Sequence, residues 1–340
     1  MSIFFNVFIK SIAFFLSIIC IIIIVAFLIS FFENKNTNFT TLYGDEGSAN
    51  IIAIIELNGL IIETNTDLSY LSNPFTISPK NTKNKLQELE DISPKAIIFS
   101  INSPGGTVSA SKKIYDIIKN FKKNNSNIDI FIHTDELLAS GAYWVATAAD
   151  GIYASYGSIT GSIGVKGPDW FYYDQPKTIS TGIFGNTIET ENGIKIFSNK
   201  AGKSKDIFNP FRKPTNNELD HLQNMVNEIY ADFIRIVSKE RKIETNILRE
   251  DIGALIFTSD QASELNLIND ELNLEELINK TIRDNKLKDY KVIKLINTKN
   301  SLIKQILSSN SNNTNHDMIY ECINLRSSMT AILSFESTGC

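Results

Sequence analysis

The uncharged apolar run Ser11–Phe32 constrains this chain more than any other feature of its sequence. A helix needs roughly 20 apolar residues to cross a bilayer, and this run exceeds that length. A cleaved signal peptide usually has a shorter apolar region followed by a small-x-small cleavage site, and the run shows neither. The sequence therefore predicts an uncleaved transmembrane anchor over residues 11–32.

The charges beside this run favour one orientation of the anchor. Lys10 and the amino terminus precede it, whereas Glu33 and Lys35 follow it and roughly cancel. By the positive-inside rule, this asymmetry favours a short cytoplasmic N-terminus, residues 1–10, and an exported C-terminal body.

The composition of the chain is that of a globular protein with a sizeable core. Of its 340 residues, 43% are hydrophobic and 21% are charged. The net charge of −5 disfavours nucleic-acid binding, which depends on a basic patch.

Cys20, Cys322 and Cys340 form no C-x-x-C pattern and no H-E-x-x-H motif occurs, so we expect no metal and no organic cofactor. The sequence leaves open whether Cys322 and Cys340 pair.

Strand and helix patterns alternate through the middle of the chain. The polar residues 33–50 are typical of a linker, and residues 51–63, 95–101 and 127–134 are typical of buried strands. Helical patterns lie between and after them, which predicts an α/β fold with a mostly parallel sheet over residues 51–295. The Asn- and Ser-rich residues 296–340 predict a flexible tail of unknown role.

A long helix is predicted after Pro214. Thr215 and Glu218 form a capping box at its start. Its apolar side chains recur with helical spacing, and we expect them to face the core. This stripe comprises Leu219, Leu222, Val226, Ile229, Phe233 and Ile236.

Ser140 is a candidate nucleophile, because it lies between small residues just before a helical pattern. A serine needs a base to take its proton, and histidine is the usual base. His133 lies on a predicted strand, His221 on the polar side of the long helix and His316 in the tail. None of these three positions favours a role as the base.

Lysine is the other candidate base for Ser140. Its ordinary pKa is about 10.4, so the amine must be desolvated to be neutral at working pH. Residues 199–214 offer Lys200, Lys203 and Lys205, although such a cluster is more often a solvated loop.

Acyl transfer also needs backbone donors for the developing oxyanion. The glycine-rich residues 102–106 follow a predicted strand and open a helix, where glycine permits close approach of a substrate. The alternative interpretation is an ordinary strand-to-helix turn or a weak phosphate loop. The amide of Gly141, directly after Ser140, would be a second donor.

Five motifs occur in the order INSPGG, ASGAYWVATAAD, GSITGSIGV, GKSKD and KPT. Together they resemble the signal peptide peptidase A (SppA) family of bacterial membrane proteases, in its short, single-repeat form; the SohB-type proteases are close relatives. The resemblance covers roughly residues 51–270. It implies a ClpP/crotonase-like fold built from a β-β-α superhelix.

The resemblance also implies a role for individual residues. Ser140 matches the family's nucleophile, Lys205 its general base and Ser162 the serine that orients this lysine. Gly106 and Gly141 match the positions of the oxyanion amides. It further implies a homo-oligomeric ring in which the nucleophile and the lysine come from neighbouring subunits.

The chain departs from the family pattern at four positions. Ala142 and Thr107 each replace a frequent glycine, beside the nucleophile and after the glycine pair respectively. Asn266 and Asn269 replace other residues of the closing segment FTSDQASELNLIND.

These observations predict a single-pass serine endopeptidase of the bacterial inner membrane with an extracytoplasmic catalytic body. Its expected substrates are remnant signal peptides and other apolar or unfolded segments. The alternatives are a SohB-like protease of other specificity, an acyl-CoA-binding enzyme of the crotonase type and an inactive membrane scaffold.

Overall fold

The computed structural model describes residues 39–63, 76–173 and 200–295, the backbone of residues 180–182 and 185–187, and Lys10, Leu16 and Ser17. The predicted anchor, apart from Leu16 and Ser17, and the predicted tail lie outside the described residues. Within the described part of the chain, no helix is both long and apolar enough to span a bilayer. The chain divides into two units, residues 1–40 with 296–310 and residues 41–295 with 311–340, and the second contains every element after the start of the first strand.

The described residues form short strands and helices that alternate along most of the chain. The strands are β1 (Phe39–Gly44), β2 (Ile51–Asn58), β3 (Leu60–Ile61), β4 (Thr76–Ile77), β5 (Ala96–Asn102), β6 (Asp129–Thr134), β7 (Leu137–Ala139), β8 (Gly151–Ala154), β9 (Ile159–Gly161), β10 (Ser180–Gly182), β11 (Gly185–Thr187), β12 (Ile256–Thr258), β13 (Asp270–Glu271) and β14 (Lys291–Leu295). The helices are α1 (Pro79–Glu90), α2 (Val108–Asn124), α3 (Gly141–Ala146), α4 (Asn216–Arg241), α5 (Ser259–Glu264) and α6 (Leu274–Asp284), with a π-helical turn at Ile247–Ile252.

Among these elements, the largest sheet has seven strands in the order β1-β14-β2-β5-β6-β8-β13. The pairings from β14 across to β13 are all parallel. The strands β2, β5 and β6 are rich in isoleucine and buried on both faces, as expected for a parallel sheet covered by helices. The predicted α/β fold with a mostly parallel sheet is confirmed.

A smaller sheet lies at the end of β6 and carries the candidate nucleophile. Its order is β12-β9-β7, with β7 parallel and β12 antiparallel to β9. Ala139 of β7 pairs with Gly161 of β9. Because these two strands are parallel and in this register, the residues that follow them, Ser140 and Ser162, are brought side by side.

The predicted linker contains a strand. Residues 39–44 form β1, which lies at the edge of the main sheet beside β14. Residues 33–50 are predicted as a linker from their polar composition, and this strand leaves no local signal because its partner lies about 250 residues further along the chain.

The capping box at the start of α4 is confirmed, whereas its predicted apolar stripe is buried only in part. Phe233 and Ile236 lie in the core, but Leu219 is 45% exposed. Leu222, Val226 and Ile229 are half-buried. The buried apolar residues of α4 lie in its C-terminal half, where the Trp144 ring of α3 stacks on Phe233.

Candidate active site

Ser140 occupies a sharp turn between β7 and α3. Its φ of 55° and ψ of −121° lie in a region that residues with a side chain rarely adopt. Its N–H donates to Gly161 O at 2.9 Å, and its carbonyl accepts from Trp144 N at 3.0 Å. A strained serine on a turn between a strand and a helix is a backbone geometry that recurs at nucleophilic serines.

The helix that follows Ser140 is anchored by its own side chains. All residues of α3 are buried. The Tyr143 hydroxyl donates to Leu267 O at 2.8 Å, and the Trp144 ring stacks on Phe233 at 4.5 Å between centroids. These contacts hold the backbone of Ser140 in place, as a precise nucleophile position requires.

The Ser140 side chain is fully buried and has an unused hydroxyl. Oγ has no hydrogen-bond partner among the described residues. A buried hydroxyl without a partner is unfavourable, and such groups cluster at functional sites. Within the described part of the chain, no base is hydrogen-bonded to this candidate nucleophile.

The glycine-rich turn after β5 lies directly against this candidate nucleophile. A Cβ on Gly105 would lie 2.7 Å from Gly141 N and 3.0 Å from Ser140 Cβ, so a side chain there would collide with the turn. Gly105 also has a φ of 99°, which glycine adopts without strain. The glycines are predicted to permit close approach of a substrate, whereas the structure shows the Ser140 turn packed directly against Gly105.

The Gly106 amide faces the Ser140 turn. Ile61 N donates to Gly105 O, and Ile61 O accepts from Thr107 N, both at 2.8 Å. Because successive N–H groups of an extended chain point to opposite sides, Gly106 between them turns its N–H away from Ile61. Gly106 N lies 3.3 Å from where a Cβ on Gly141 would be. The two amides predicted as oxyanion donors are thus neighbours.

Ser162 lies beside Ser140, as the pairing of β7 with β9 requires. It is 3% exposed and has a φ of 52°, the second strained serine in this small region. Its N–H donates to Leu255 O at 2.7 Å, which ties it to the residue before β12. The structure therefore brings together Ser140, Ser162, Gly106 and Gly141.

Lys205 is not brought to Ser140 within the chain. It lies in a series of turns over residues 201–212, and its side chain is exposed. Its backbone N–H donates to Gly202 O at 3.3 Å. Of the five residues predicted for the site, Lys205 alone lies outside the cluster around Ser140.

The loop that carries Lys205 is held by charges. Asp206 pairs with Lys200 at 2.6 Å and with Arg212 at 2.9 Å, and Arg212 also pairs with Glu218 at 2.7 Å. Hydrogen bonds from Arg212, then from Lys200, lower the pKa of Asp206 to about 2. A carboxyl group whose pKa is lowered in the folded state stabilises the fold at pH values above its ordinary pKa, which is 3.8 for Asp206. These ion pairs therefore persist at mildly acidic pH and are lost as the pH falls towards 2.

Aromatic side chains pack under the same loop. Trp170 Nε1 donates to Asn209 O at 3.2 Å, and the Arg212 guanidinium lies 5.1 Å from the centre of the Trp170 ring. Tyr173 N donates to Pro210 O at 2.8 Å. The Lys205 loop therefore has a defined backbone although its lysine is exposed.

Sequence reasoning did not identify Asp206 and Arg212 as supports of this loop. The pattern K-x-x-x-x-x-D followed by an arginine before the capping-box Glu218 is a signal, but charges at such spacings are common on solvated loops. Only the folded turn shows that Arg212 bridges two carboxylates.

His133 is packed in β6, as its strand position predicts, and it contacts no predicted site residue. Nε2 lies 3.2 Å from Leu272 O and 3.3 Å from Ser155 Oγ. Burial lowers the pKa of its imidazole, against the opposing effect of Asp135. His221 is exposed on α4, and His316 lies outside the described residues.

Three of the four departures from the family pattern fit their positions, whereas the Thr107 hydroxyl is buried without a hydrogen-bond partner among the described residues. Asn266 has a φ of 59°, which asparagine tolerates better than other residues with a side chain. Asn269 Oδ1 accepts from Ile152 N at 2.9 Å and from Arg241 at 2.7 Å. Ala142 is fully buried in α3.

Comparison with known proteins identifies relatives of this chain. The sequence profile of peptidase family S49 matches residues 122–288, and that of the Clp protease family matches residues 79–131. An Enterococcus faecium protein named as a signal peptide peptidase SppA is 30% identical over 260 residues, which cover 74% of this chain and 69% of that protein. The chain belongs to the SppA family, peptidase family S49. The predicted membership of this family is confirmed.

Other relatives of this SppA-family chain are similar over part of its length. A Methanocaldococcus jannaschii protein named as a protease is 36% identical over 194 residues, which are 57% of each chain, so this chain spans little more than half of that relative. A solved structure of the 1510-N membrane protease specific for a stomatin homolog, from Pyrococcus horikoshii, aligns with a TM-score of 0.41 at 15% identity. That alignment covers 76% of this chain and 98% of the other.

Proposed function

We propose that this chain is a membrane-anchored serine endopeptidase with a Ser140–Lys205 dyad, which degrades remnant signal peptides and other apolar or unfolded segments. One observation carries the proposal. Ser140 is buried and strained, its hydroxyl has no hydrogen-bond partner among the described residues, and the Gly106 and Gly141 amides lie beside it. This is the arrangement that acyl transfer requires, with the base still to be supplied.

In this proposal the base comes from a neighbouring copy of the chain. Lys205 is exposed on a loop that the Asp206–Arg212 ion pair supports, so its side chain is available to another subunit. Entry would place its amine near Ser162 and away from water, and desolvation favours the neutral form of an amine. A ring of subunits would then contain one complete dyad at each interface, and an isolated subunit would be inactive.

The reaction follows from these positions. The neutral amine of Lys205 takes the Ser140 proton as Oγ attacks the peptide carbonyl carbon, and the oxyanion receives hydrogen bonds from Gly106 and Gly141. The C–N bond then breaks, and Lys205 returns the proton to the leaving amine. Water, deprotonated by the same lysine, hydrolyses the acyl-enzyme.

The predicted anchor over residues 11–32 supports the choice of substrate. It would hold the catalytic body close to a bacterial inner membrane, on its extracytoplasmic side, where signal-peptide remnants remain after export. Apolar peptides are the substrates that such a location would offer.

The test uses the full-length protein in detergent, assembled as an oligomer, with a synthetic signal peptide followed by mass spectrometry. Ser140→Ala and Lys205→Ala are expected to lower cleavage by at least about 1000-fold. Lys203→Ala is the matched control, because Lys203 is exposed in the same loop, and it should cleave normally. Full activity in Lys205→Ala with none in Ser140→Ala would assign the base elsewhere.

The alternatives predict other results in the same experiment. Absence of cleavage by the wild-type oligomer, together with binding of acyl-CoA, would favour a crotonase-type enzyme. Absence of both would favour a membrane scaffold. Cleavage of unfolded proteins but not of signal peptides would favour a SohB-like specificity.

A further inference from the structure

Ser111 lies behind the candidate oxyanion site, and its hydroxyl is fully buried. It is in the first turn of α2, which follows directly from the glycine-rich turn. Ser111 Oγ donates to Thr107 O at 2.9 Å, and the Ser111 N–H donates to the same carbonyl at 3.0 Å. The hydroxyl therefore holds the residue next to Gly106.

The same hydroxyl touches the other side of the site. A Cβ on Gly141 would lie 2.3 Å from Ser111 Oγ and 3.2 Å from Ser111 Cβ. These distances are shorter than van der Waals contact, so the Ser111 side chain occupies the space beside the Gly141 backbone. Gly141 does not adopt a positive φ. Glycine at position 141 is thus required by Ser111 and its surroundings rather than by the local backbone.

A serine that bonds to the carbonyl four residues earlier is common in helices and by itself has no functional meaning. Ser111 differs because one oxygen contacts both segments that bear the oxyanion amides. It hydrogen-bonds to the Gly106–Thr107 segment and packs against Gly141. The side chain thus contacts both segments that carry these amides.

We propose that Ser111 is a positioning residue, which sets the spacing of the Gly106 and Gly141 amides so that both can donate to the oxyanion. This inference rests on the proposed function, and it adds a residue that the sequence analysis does not single out. A loss of this spacing weakens hydrogen bonds that form in the transition state, so it lowers kcat more than it raises KM.

The experiment is a double-mutant cycle of Ser111→Ala and Gly141→Ala in the full-length oligomer, with kcat and KM for a synthetic signal peptide. Ser111→Ala is expected to lower kcat by roughly three- to tenfold, with KM changing by less than about twofold. Gly141→Ala should lower kcat by about 100-fold, because its methyl group collides with Ser111 Oγ. Ser109→Ala, an exposed serine of the same helix turn, is the matched control and should match wild type.

The decisive result is the double variant. Removal of Ser111 Oγ makes room for the methyl group, so the double variant should have a kcat at least about tenfold higher than Gly141→Ala alone. Multiplicative losses in the double variant, or a Ser111→Ala enzyme with wild-type kcat, would overturn the inference.

Thermal unfolding of the wild type and the three variants of the cycle separates this inference from the proposed function. The collision should lower the Tm of Gly141→Ala, and Ser111→Ala should restore part of it, whether or not the protein is a peptidase. Cleavage by wild type without coupling in the cycle would refute the positioning role alone. Absence of cleavage by the wild-type oligomer would refute the proposed function and the positioning role with it, even if the Tm values were coupled.

Discussion

The Ser140 turn and the Lys205 loop are built in opposite ways. Ser140 is fully buried, strained and held by packing, through stacked Trp144 and the buried α3 helix. Lys205 is exposed, and its loop is held by the ion pairs of Asp206 and Arg212. A nucleophile needs a fixed backbone beside its oxyanion donors, whereas a base that enters a neighbour's site must be exposed before assembly. In the proposed dyad, each partner has the construction that its task requires.

Among the residues that support the two members of the dyad, the largest effect is expected from a change at the Ser140 turn. A Cβ on Gly106 would lie 1.9 Å from Ile61 O, so Gly106→Ala must displace the turn and its amide. We expect kcat to fall by about 100-fold or more, since one oxyanion donor is lost. Steady-state kinetics of peptide cleavage would measure this.

The control for Gly106→Ala is Gly47→Ala, because a Cβ on Gly47 meets only Asp45 Oδ1 at 3.4 Å. That variant should retain normal kinetics. A Gly106→Ala enzyme that retains wild-type kcat would show that the activity does not depend on a fixed backbone beside Ser140. That result would contradict the proposed difference between the Ser140 turn and the Lys205 loop.

A smaller effect is expected from the charged side. Asp206→Asn keeps the side-chain size and removes the charge that pairs with Lys200 and Arg212. We expect roughly tenfold lower kcat/KM, since Lys205 is less well positioned but still present. Trypsin should cleave after Lys203 and Lys205 faster than in wild type, as mass spectrometry of the fragments would show.

Asp169→Asn is the matched control for this loop, because Asp169 forms an exposed ion pair with Lys166 at 2.9 Å. It should leave both kinetics and trypsin sensitivity unchanged. If Asp206→Asn also left them unchanged, charges would not hold the Lys205 loop.

The smallest effect is a change of stability with pH, and it separates buried His133 of β6 from the ion pairs of the Lys205 loop. His133 is buried with a lowered pKa, so the unfolded chain takes up a proton below about pH 6.5 while the folded chain does not. The free energy of unfolding should therefore fall by up to about 1.4 kcal/mol per pH unit below 6.5, until folded His133 is itself protonated. The Asp206 ion pairs should persist through that range. Urea unfolding at several pH values would measure the slope.

His221→Gln should retain that slope, because His221 is exposed, and His133→Gln should flatten it. An unchanged slope in His133→Gln would mean that the titration of another group causes the pH dependence of stability.

The sequence predicts the sheet and the Ser140 turn better than the Lys205 loop. Isoleucine-rich strands, the glycine pair before α2 and the small residues around Ser140 are local patterns, and each one is confirmed as an element or a turn. The α4 stripe illustrates the limit of such patterns. Its periodicity is correct, but only the tertiary structure determines that Phe233 is buried and Leu219 is not.

The remaining features depend on contacts between distant residues. The pairing of β1 with β14, the contact of Ser111 with Gly141 and the bridge of Arg212 between Asp206 and Glu218 leave no periodic signal. The resemblance to the SppA family supplied Lys205 and Ser162, which spacing alone did not select. The structure places Ser162 beside Ser140, and the role of Lys205 stays a prediction.

The most direct test of the shared dyad is complementation between inactive subunits. Ser140→Ala and Lys205→Ala chains are co-expressed, purified as mixed full-length oligomers and assayed with a synthetic signal peptide. If each dyad joins two subunits, about a quarter of the interfaces combine an intact serine with an intact lysine, and about a quarter of wild-type activity should return. Mixing Ser140→Ala with a chain that carries both substitutions should return none. A mixture of the two single variants that remains inactive, although the oligomers are mixed and the wild type is active, would contradict a dyad shared between subunits.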